Sequence, residues 1–419
     1  MTHYDVAIIG AGIAGASIAS EIGADRSVLL LEGEEFPGYH ATGRSAAFWT
    51  ESYGGPLVQP LTSASRGFLE NPPPEFSSAG FLRPRGALNI AREDEPHLAD
   101  RFLADFADTG LALERWSWDE AADLLPSLRP VWSQAIHEPD CCDIDVAALH
   151  AAYLKDARRK AVRLLCRAPV RQISRQGRIW ELVAGNETHR ATILVNAAGA
   201  WADAVAGLAG VKPVGIQPLI RNMVQIETDP PSSPDMPLVV GLDGSFYFKP
   251  EAGGSYWLSP HDEIPSEPGD VAPDELSVAT AIDRFENVLD VQVKRVTRKW
   301  AGLRSFAPDR LPVIGFDPAV ENFFWFAGQG RPPLHRNWPG PFCSASPRTT
   351  VCGRLTRASM RLRASARGGH FFNRMLAPPV RRSMISVGPQ RRGQKWRINS
   401  RYGKTRKANF GSGSNIMAR

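Results

Sequence analysis

The chain has 419 residues, 43% hydrophobic and 22% charged, with 49 Lys plus Arg against 44 Asp plus Glu, for a formal net charge of +5. That length and composition fit a globular protein of two domains, and the absence of any run of about 20 uninterrupted apolar residues excludes a transmembrane helix. The opening MTHYD lacks a basic n-region, so no secretory signal is expected, and five cysteines with no C-x-x-C pair point to reduced cytosolic thiols and no metal site.

The first predicted elements run from Asp5 to Glu32. Val6 to Ile9 reads as a buried parallel strand, Gly10, Gly12 and Gly15 follow in G-x-G-x-x-G spacing, Ile13 to Ile22 is a helix of small and apolar residues, and Ser27 to Leu31 is a second strand ending at Glu32. Each part has a physical task. Gly10 allows the tight turn, Gly12 leaves room for a pyrophosphate against the backbone, and Gly15 lets the helix lie close to the sheet. The helix N-terminus offers N–H groups and a positive dipole end to phosphates. Glu32 is placed to accept hydrogen bonds from ribose hydroxyls and disfavours a 2′-phosphate, so the ligand is FAD or NAD rather than NADP.

Beyond Glu32, Gly38 and Gly43 interrupt any regular element, and Thr42, Arg44 and Ser45 lead into the apolar segment Ala46 to Trp49. Such a stretch presents hydroxyls, N–H groups and a guanidinium to a pyrophosphate or ring, or else forms a solvated loop. Residues 62–70 predict a helix, 80–92 strands around a turn, and 95–125 helices. Asp143-Ile144-Asp145 is placed to cap a helix over Val146 to Arg158, whose basic end, Arg158, Arg159 and Lys160, reads as solvated. Residues 164–173, Ile179 to Val183 and Thr188 to Val195 predict strands, the last two joined by a turn at Gly185-Asn186. Ala197-Ala198-Gly199 before a helix from Trp201 is a second strand–glycine–helix unit. Alternating patterns over 214–227 and 238–258 predict an antiparallel sheet that leaves Arg221 and Tyr247 free to face a ligand. A helix over 274–290, Arg304 among apolar neighbours, and a buried strand in 322–330 that enters a glycine turn complete this part.

At Arg331 the grammar changes. Residues 331–419 hold 20 Lys plus Arg and no Asp or Glu, which leaves the first 330 residues at a net −15. The tail has no consistent period and could not supply a packed core.

The strings GAGIAGAS, PGYHATGRSAAFWTESYG, LVNAAGAWADAVAGLAG, FYFKP, WAGLRSFAPD and FFWFAGQG together resemble the FAD-dependent D-amino-acid oxidase and dehydrogenase family, most of all its D-arginine-dehydrogenating branch, over nearly all of residues 1–330. The resemblance implies an α/β fold: a Rossmann-like FAD-binding domain (1–80, 142–212 and 295–330) and a substrate domain on a mixed, largely antiparallel sheet (81–141 and 213–294). It implies non-covalent FAD held by Gly10, Gly12, Ala14, Gly15, Glu32, Ala41, Thr42, Gly43, Arg44, Ser45, Ala46, Ala47, Phe48, Val170, Gly199 and Gly330, with His40 not used as a covalent tether. It also implies that Arg304, assisted by Arg221, clamps a substrate carboxylate while Tyr53 and Tyr247 hydrogen-bond the substrate and shield the site. The reaction implied is dehydrogenation of a D-amino acid to an imino acid, which hydrolyses to a 2-oxo acid and ammonia. The partners implied are that substrate and an electron acceptor, oxygen or a quinone, in a cytoplasmic protein that is either free or peripheral at the inner membrane.

Three departures qualify the likeness. Ala87 stands where the D-arginine branch has a glutamate that reads the cationic side chain, and Phe48 where it has a histidine, so neutral or apolar D-amino acids are expected in place of D-arginine or D-lysine. Arg331-Pro332-Pro333 replaces a glycine-rich turn and helix, and with the sudden loss of acids this reads as a coding-frame change after Gly330. The alternatives are a disrupted, inactive remnant, an oxidase of secondary amines such as glycine or sarcosine, and, last, a polyanion-binding protein acting through the tail. Nucleic acid is a partner only if that tail is genuine.

Overall fold

The computed structural model describes residues 2–330; the basic tail, the frame change and polyanion binding all fall outside the described residues. β1 (His3–Ile9), α1 (Ile13–Ile22) and β2 (Val28–Leu31) form the expected unit. β1 and β2 pair in parallel, with Val6 opposite Val28 and Ile9 opposite Leu31. Val6, Ala7 and Ile8 are wholly buried, because both faces of a parallel sheet are covered and every side chain must be apolar. α1 lies hard on β1. A Cβ at Gly15 would stand 1.8 Å from the Gly10 carbonyl oxygen, so no other residue fits there without moving the helix.

β1 is central to an eight-stranded sheet among the described residues. Glu187–Asn196 runs parallel to β1 on one side and carries Phe323–Ala327 at its end; Arg163–Leu165 runs parallel to β2 on the other. Val170–Gln176 and Ile179–Ala184 form an antiparallel hairpin at the far edge. The single strand expected over 164–173 is therefore two strands at opposite ends of the sheet. Arg167 takes a left-handed backbone (φ 54°), the amides of Arg167 and Ala168 turn back to the Glu34 and Glu32 carbonyls, and Pro169 has no N–H to continue a ladder.

The second sheet has nine strands among the described residues and is built on a long antiparallel ribbon of Gln217–Asp229 and Gln292–Phe306. Next to it come Ser255–Ser259, Tyr247–Glu251 and Leu238–Gly241. Leu238–Gly241 pairs in parallel with Ala87–Ala91, so the sheet is mixed. Gln292–Phe306, counted from residue 295 with the nucleotide-binding part, is bonded along its length in this second sheet. Gln134–Glu138 and Glu114–Trp116 complete the edge. Neither was expected, and the latter falls in a stretch read as helical; three residues are too few to show a period. A small third sheet of Phe48–Trp49, Cys142–Ile144 and Leu82–Pro84 ties the loop after β2 to the second sheet.

Two local expectations change. Asp145 alone caps the helix Val146–Arg159, through the Ala148 amide at 2.8 Å; Asp143 instead bonds Arg85 Nε and Lys249 Nζ, each at 2.8 Å. The basic end of that helix is not simply solvated. Arg159 and Lys160 both pair with Asp156, which is buried and also accepts from Ser20 on α1, so these cations complete a helix–helix contact.

Candidate functional site

A cavity of about 470 Å³ opens where β1 and Glu187–Asn196 end, the usual ligand position in an open α/β sheet. Gly10 lines it with φ +98°, and a Cβ there would meet the Ala197 carbonyl oxygen at 2.5 Å. Gly12 and Ala14 line it at the start of α1, where the first-turn amides have no partner within the helix. One of these, Ile13 N–H, donates to Thr42 Oγ1 at 3.0 Å. Glu32 lines the cavity and pins its floor, accepting from the amides of Ala11 and Glu34, each at 3.0 Å.

Ala41, Thr42, Arg44, Ser45, Val170, Gly199 and Gly330 line the same cavity. Arg44 is held in place rather than free for a phosphate. It donates to the carbonyls of Tyr39 and Ala301 and pairs with Asp270, which also accepts from the Tyr39 hydroxyl. His40 Nε2 lies 2.8 Å from Glu34 Oε1, and its ring packs on Trp201 at 4.6 Å.

Five expected cofactor residues do not line the cavity. Gly15 acts through helix packing. The Gly43 amide closes a turn onto the Gly38 carbonyl at 2.8 Å. Ala46 is buried in a cluster with Ala87, Met223 and Tyr247, Ala47 offers its carbonyl to Ile144 N–H, and Phe48 enters the small third sheet. Ala46 to Phe48 follow Ser45, where the loop leaves the cavity lining.

On the second sheet, strand register brings the two expected substrate arginines together, and of the expected substrate residues Arg304 lines the cavity while Tyr53, Arg221 and Tyr247 do not. Arg304 stands opposite Leu219 and Arg221 opposite Gly302, so the two arginines are diagonal neighbours on one face. Arg304 lines the cavity, with Nη2 at 3.4 Å from Ser45 Oγ. Arg221 is 3% exposed; its Nε donates to the Asp262 carbonyl at 2.9 Å, whereas Nη2 has no hydrogen-bond partner among the described residues and lies 3.8 Å from Glu263 Oε1. Burial opposes the charge on Arg221, but Tyr53, Tyr247 and Asp262 outweigh it and hold the guanidinium protonated. Burial pushes the Tyr247 phenol up, against the pull of Arg221 and Arg304. Phe48 meets Tyr53 and Tyr247 edge-on at 5.3 and 5.6 Å.

Two residues of this site were not found by sequence reasoning. His261, buried with φ 53°, places Nε2 at 2.9 Å from Tyr53 Oη; a histidine between Pro260 and Asp262 looks like an ordinary turn. Glu138, 2% exposed, accepts from the Thr50 hydroxyl at 2.6 Å, from the amides of Glu51 and Ser52, and from the Ser52 hydroxyl. It thereby holds the turn that carries Tyr53, and nothing in the sequence distinguishes it from a surface glutamate.

Residues 5–336 match the family described as FAD dependent oxidoreductase (DAO). Dimethylglycine dehydrogenase of Rattus norvegicus is 25% identical over 374 residues, 81% of this chain and 42% of that protein. Hydrogen cyanide synthase subunit HcnC of Pseudomonas aeruginosa is 28% identical over 201 residues, 45% of each chain. The chain thus spans less than half the length of these relatives. Among solved structures, glycine oxidase from Geobacillus kaustophilus superposes with a TM-score of 0.71 at 20% identity, covering 90% of this chain and 96% of that one. L-proline dehydrogenase from P. horikoshii gives 0.69 at 20% identity, covering 78% and 88%. These relatives support the wider family and do not single out its D-arginine-dehydrogenating branch. The bare glycines, the helix N-terminus and the carboxylate at the end of β2 fit a dinucleotide, and the chain belongs to the DAO family of FAD-dependent oxidoreductases, with FAD as its cofactor.

Proposed function

We propose that this chain dehydrogenates the C–N bond of a small amino or N-alkylamino acid whose only charges are its carboxylate and its amine. The observation that carries this is the buried Arg221, whose unsatisfied Nη2 sits beside Tyr53 and Tyr247 and diagonal to Arg304. A buried guanidinium with an open donor calls for an anion, and two arginines on one face suit a carboxylate. FAD, when bound, supplies the two-electron acceptor for a C–H bond next to nitrogen. The protein's part is to hold the carboxylate at Arg304 and Arg221, to present the α-carbon to the cavity, and to exclude water with Phe48, Tyr53 and Tyr247. The oxidised product, an imine, hydrolyses to a carbonyl compound and an amine or ammonia.

The pocket's chemistry supports a neutral side chain. Ala87 is buried against Ala46, Met223 and Tyr247, and Glu138, which faces Ala87 in register, is occupied by its four donors in the 50–52 turn. Among the described residues, none of those clustered with Ala87 carries a carboxylate to read a cation. Small D-amino acids satisfy this description, as do glycine and its N-methyl derivatives; the names of the relatives favour the latter. The test is anaerobic bleaching of the flavin bands by glycine, N-methylglycine, N,N-dimethylglycine, D-alanine, D-arginine and L-alanine. The glycine series is expected to bleach fastest and D-arginine slowest. Highest kcat/KM with D-arginine, or no bleaching by any of them, overturns the proposal. Repeating the assay in air and with a quinone identifies the acceptor.

A further inference from the structure

We infer that His261 is the proton acceptor for the substrate's amine, reached through the Tyr53 hydroxyl. This rests on the amine-oxidising function proposed above. The assignment comes from hydrogen-bond logic. His261 Nδ1 lies 2.8 Å from the Gly244 carbonyl oxygen. A carbonyl only accepts, so Nδ1 carries the ring hydrogen, and Nε2 of the neutral imidazole is the acceptor. Nε2 lies 2.9 Å from Tyr53 Oη, so the phenol donates its hydrogen to His261. The Tyr53 oxygen, which also stands against the Arg221 guanidinium, then has only lone pairs to offer the substrate. It cannot donate to a carboxylate; it can accept an N–H.

That direction matters because a substrate amine arrives at neutral pH as an ammonium, and a nitrogen without a lone pair cannot assist loss of hydride from its carbon. The relay supplies the missing step. The ammonium gives one proton to Tyr53 Oη as Tyr53 passes its own to His261 Nε2. The amine becomes neutral, the phenol is unchanged, the imidazole becomes imidazolium, and no electron moves. The fixed groups around the relay keep it oriented. The His261 amide donates to Ser259 Oγ at 3.1 Å, and the Tyr247 ring stands edge-on at 5.4 Å. Arg284, from the helix Glu275–Val288, bonds the carbonyls of Pro260 and Ser245 on either side. Among the described residues, the charges facing the pair include Arg221 and Arg304 from the long ribbon, Asp262 and Glu263 next in the chain, and Arg310, which pairs with Glu263.

The test uses the full chain loaded with FAD. His261→Asn keeps a donor for the Gly244 carbonyl and tolerates the left-handed backbone, but removes the Nε2 acceptor; Tyr53→Phe cuts the relay from the other side. Both variants are expected to lose about 10²-fold in kcat/KM at pH 7, to recover tenfold per pH unit, and to meet the wild type where the amine is already neutral. A loss that is the same at every pH, or no loss, overturns the relay. A second readout needs no turnover. 2-Aminoisobutyrate has no α-hydrogen, and its binding is followed calorimetrically in buffers of different ionisation enthalpy below the amine's pKa. The wild type is expected to release close to no protons and His261→Asn close to one. Equal release by both overturns the relay. Failure of the wild type to bind 2-aminoisobutyrate, together with no bleaching by any amine, overturns the underlying function and the relay with it, whereas bleaching with flat pH profiles removes the relay alone.

Discussion

Glu138→Ala tests whether one buried carboxylate organises the substrate wall. Glu138 is 2% exposed and takes four hydrogen bonds from the turn over Thr50 to Ser52. With the carboxylate removed, the two hydroxyls can turn toward each other, since Thr50 Oγ1 and Ser52 Oγ already lie 3.2 Å apart. The amides of Glu51 and Ser52 have no such freedom. Two stranded buried donors at about 1–3 kcal/mol each put the cost at roughly 2–6 kcal/mol. Glu138→Gln keeps one oxygen for those amides and lets the Ser52 hydroxyl accept from the new NH₂, so it loses only the charge assistance, about 1–3 kcal/mol. Urea unfolding of the two variants measures both. Because Tyr53 follows directly on this turn, KM for the amine substrate should also rise more in Glu138→Ala than in Glu138→Gln, at equal flavin content. Unfolding midpoints that match the wild type in both variants would refute the idea that this carboxylate holds the turn.

Three further outcomes are expected. Gly15→Ala places a Cβ 1.8 Å from the Gly10 carbonyl oxygen and should yield protein without FAD, while Gly207→Ala, with nothing within 4 Å, should keep FAD and gain about 0.5–1 kcal/mol in a denaturant titration. Arg304→Lys keeps the charge but not the planar fork, and it should cost about 10-fold in kcat/KM against about 100-fold for Arg304→Ala in steady-state assays. Burial opposes the charge on Asp156, but Lys160, Ser20 and Arg159 outweigh it and hold the carboxyl below its usual range. A lowered folded-state pKa contributes stability that is present above the ordinary value of about 4 and lost as pH falls through the folded value. Melting temperatures of Asp156→Asn should therefore lie below those of the wild type at pH 7, with the gap closing as pH drops below about 4.

The nucleotide half of the fold was legible because its physics is local. β1, α1 and β2 are consecutive, and the boundaries expected from apolar runs and glycines agree with the structure to within a few residues at each end. Gly10 and Gly12 could be assigned for the same reason: close backbone approach leaves only one residue type possible. The same logic did not separate Gly15 and Gly43 from Gly12, since a glycine demanded by helix packing or by a turn looks in sequence like one demanded by a ligand. Nor did it show that Arg44 is tied to Asp270, some 226 residues away along the chain. A partner at that distance leaves no periodic trace.

The substrate half shows where sequence patterning carries further and where it stops. Strand alternation was enough to propose that Arg221 and Tyr247 face a ligand, whereas Arg304 came only from the family resemblance. That the two arginines meet each other depends on the register of Gln217–Asp229 against Gln292–Phe306, and a slip of one residue would have turned Arg304 to the other face. The bulges between Gln225 and Ile226 and between Glu227 and Thr228 lie beyond Arg221, away from the site end of the ribbon, so the regular part of the ladder carries the arginines. His261 and Glu138 have no such pattern. Each acts by what it leaves available on a neighbour: His261 takes the Tyr53 hydrogen and so makes the phenol an acceptor, and Glu138 saturates the turn before it. The amine oxidation proposed above would require a site that accepts a proton from a cationic amine while binding an anion, with donors and acceptors kept apart. Here the arginines supply the donors from the long ribbon, and the Tyr53–His261 pair supplies the acceptor from two separate loops.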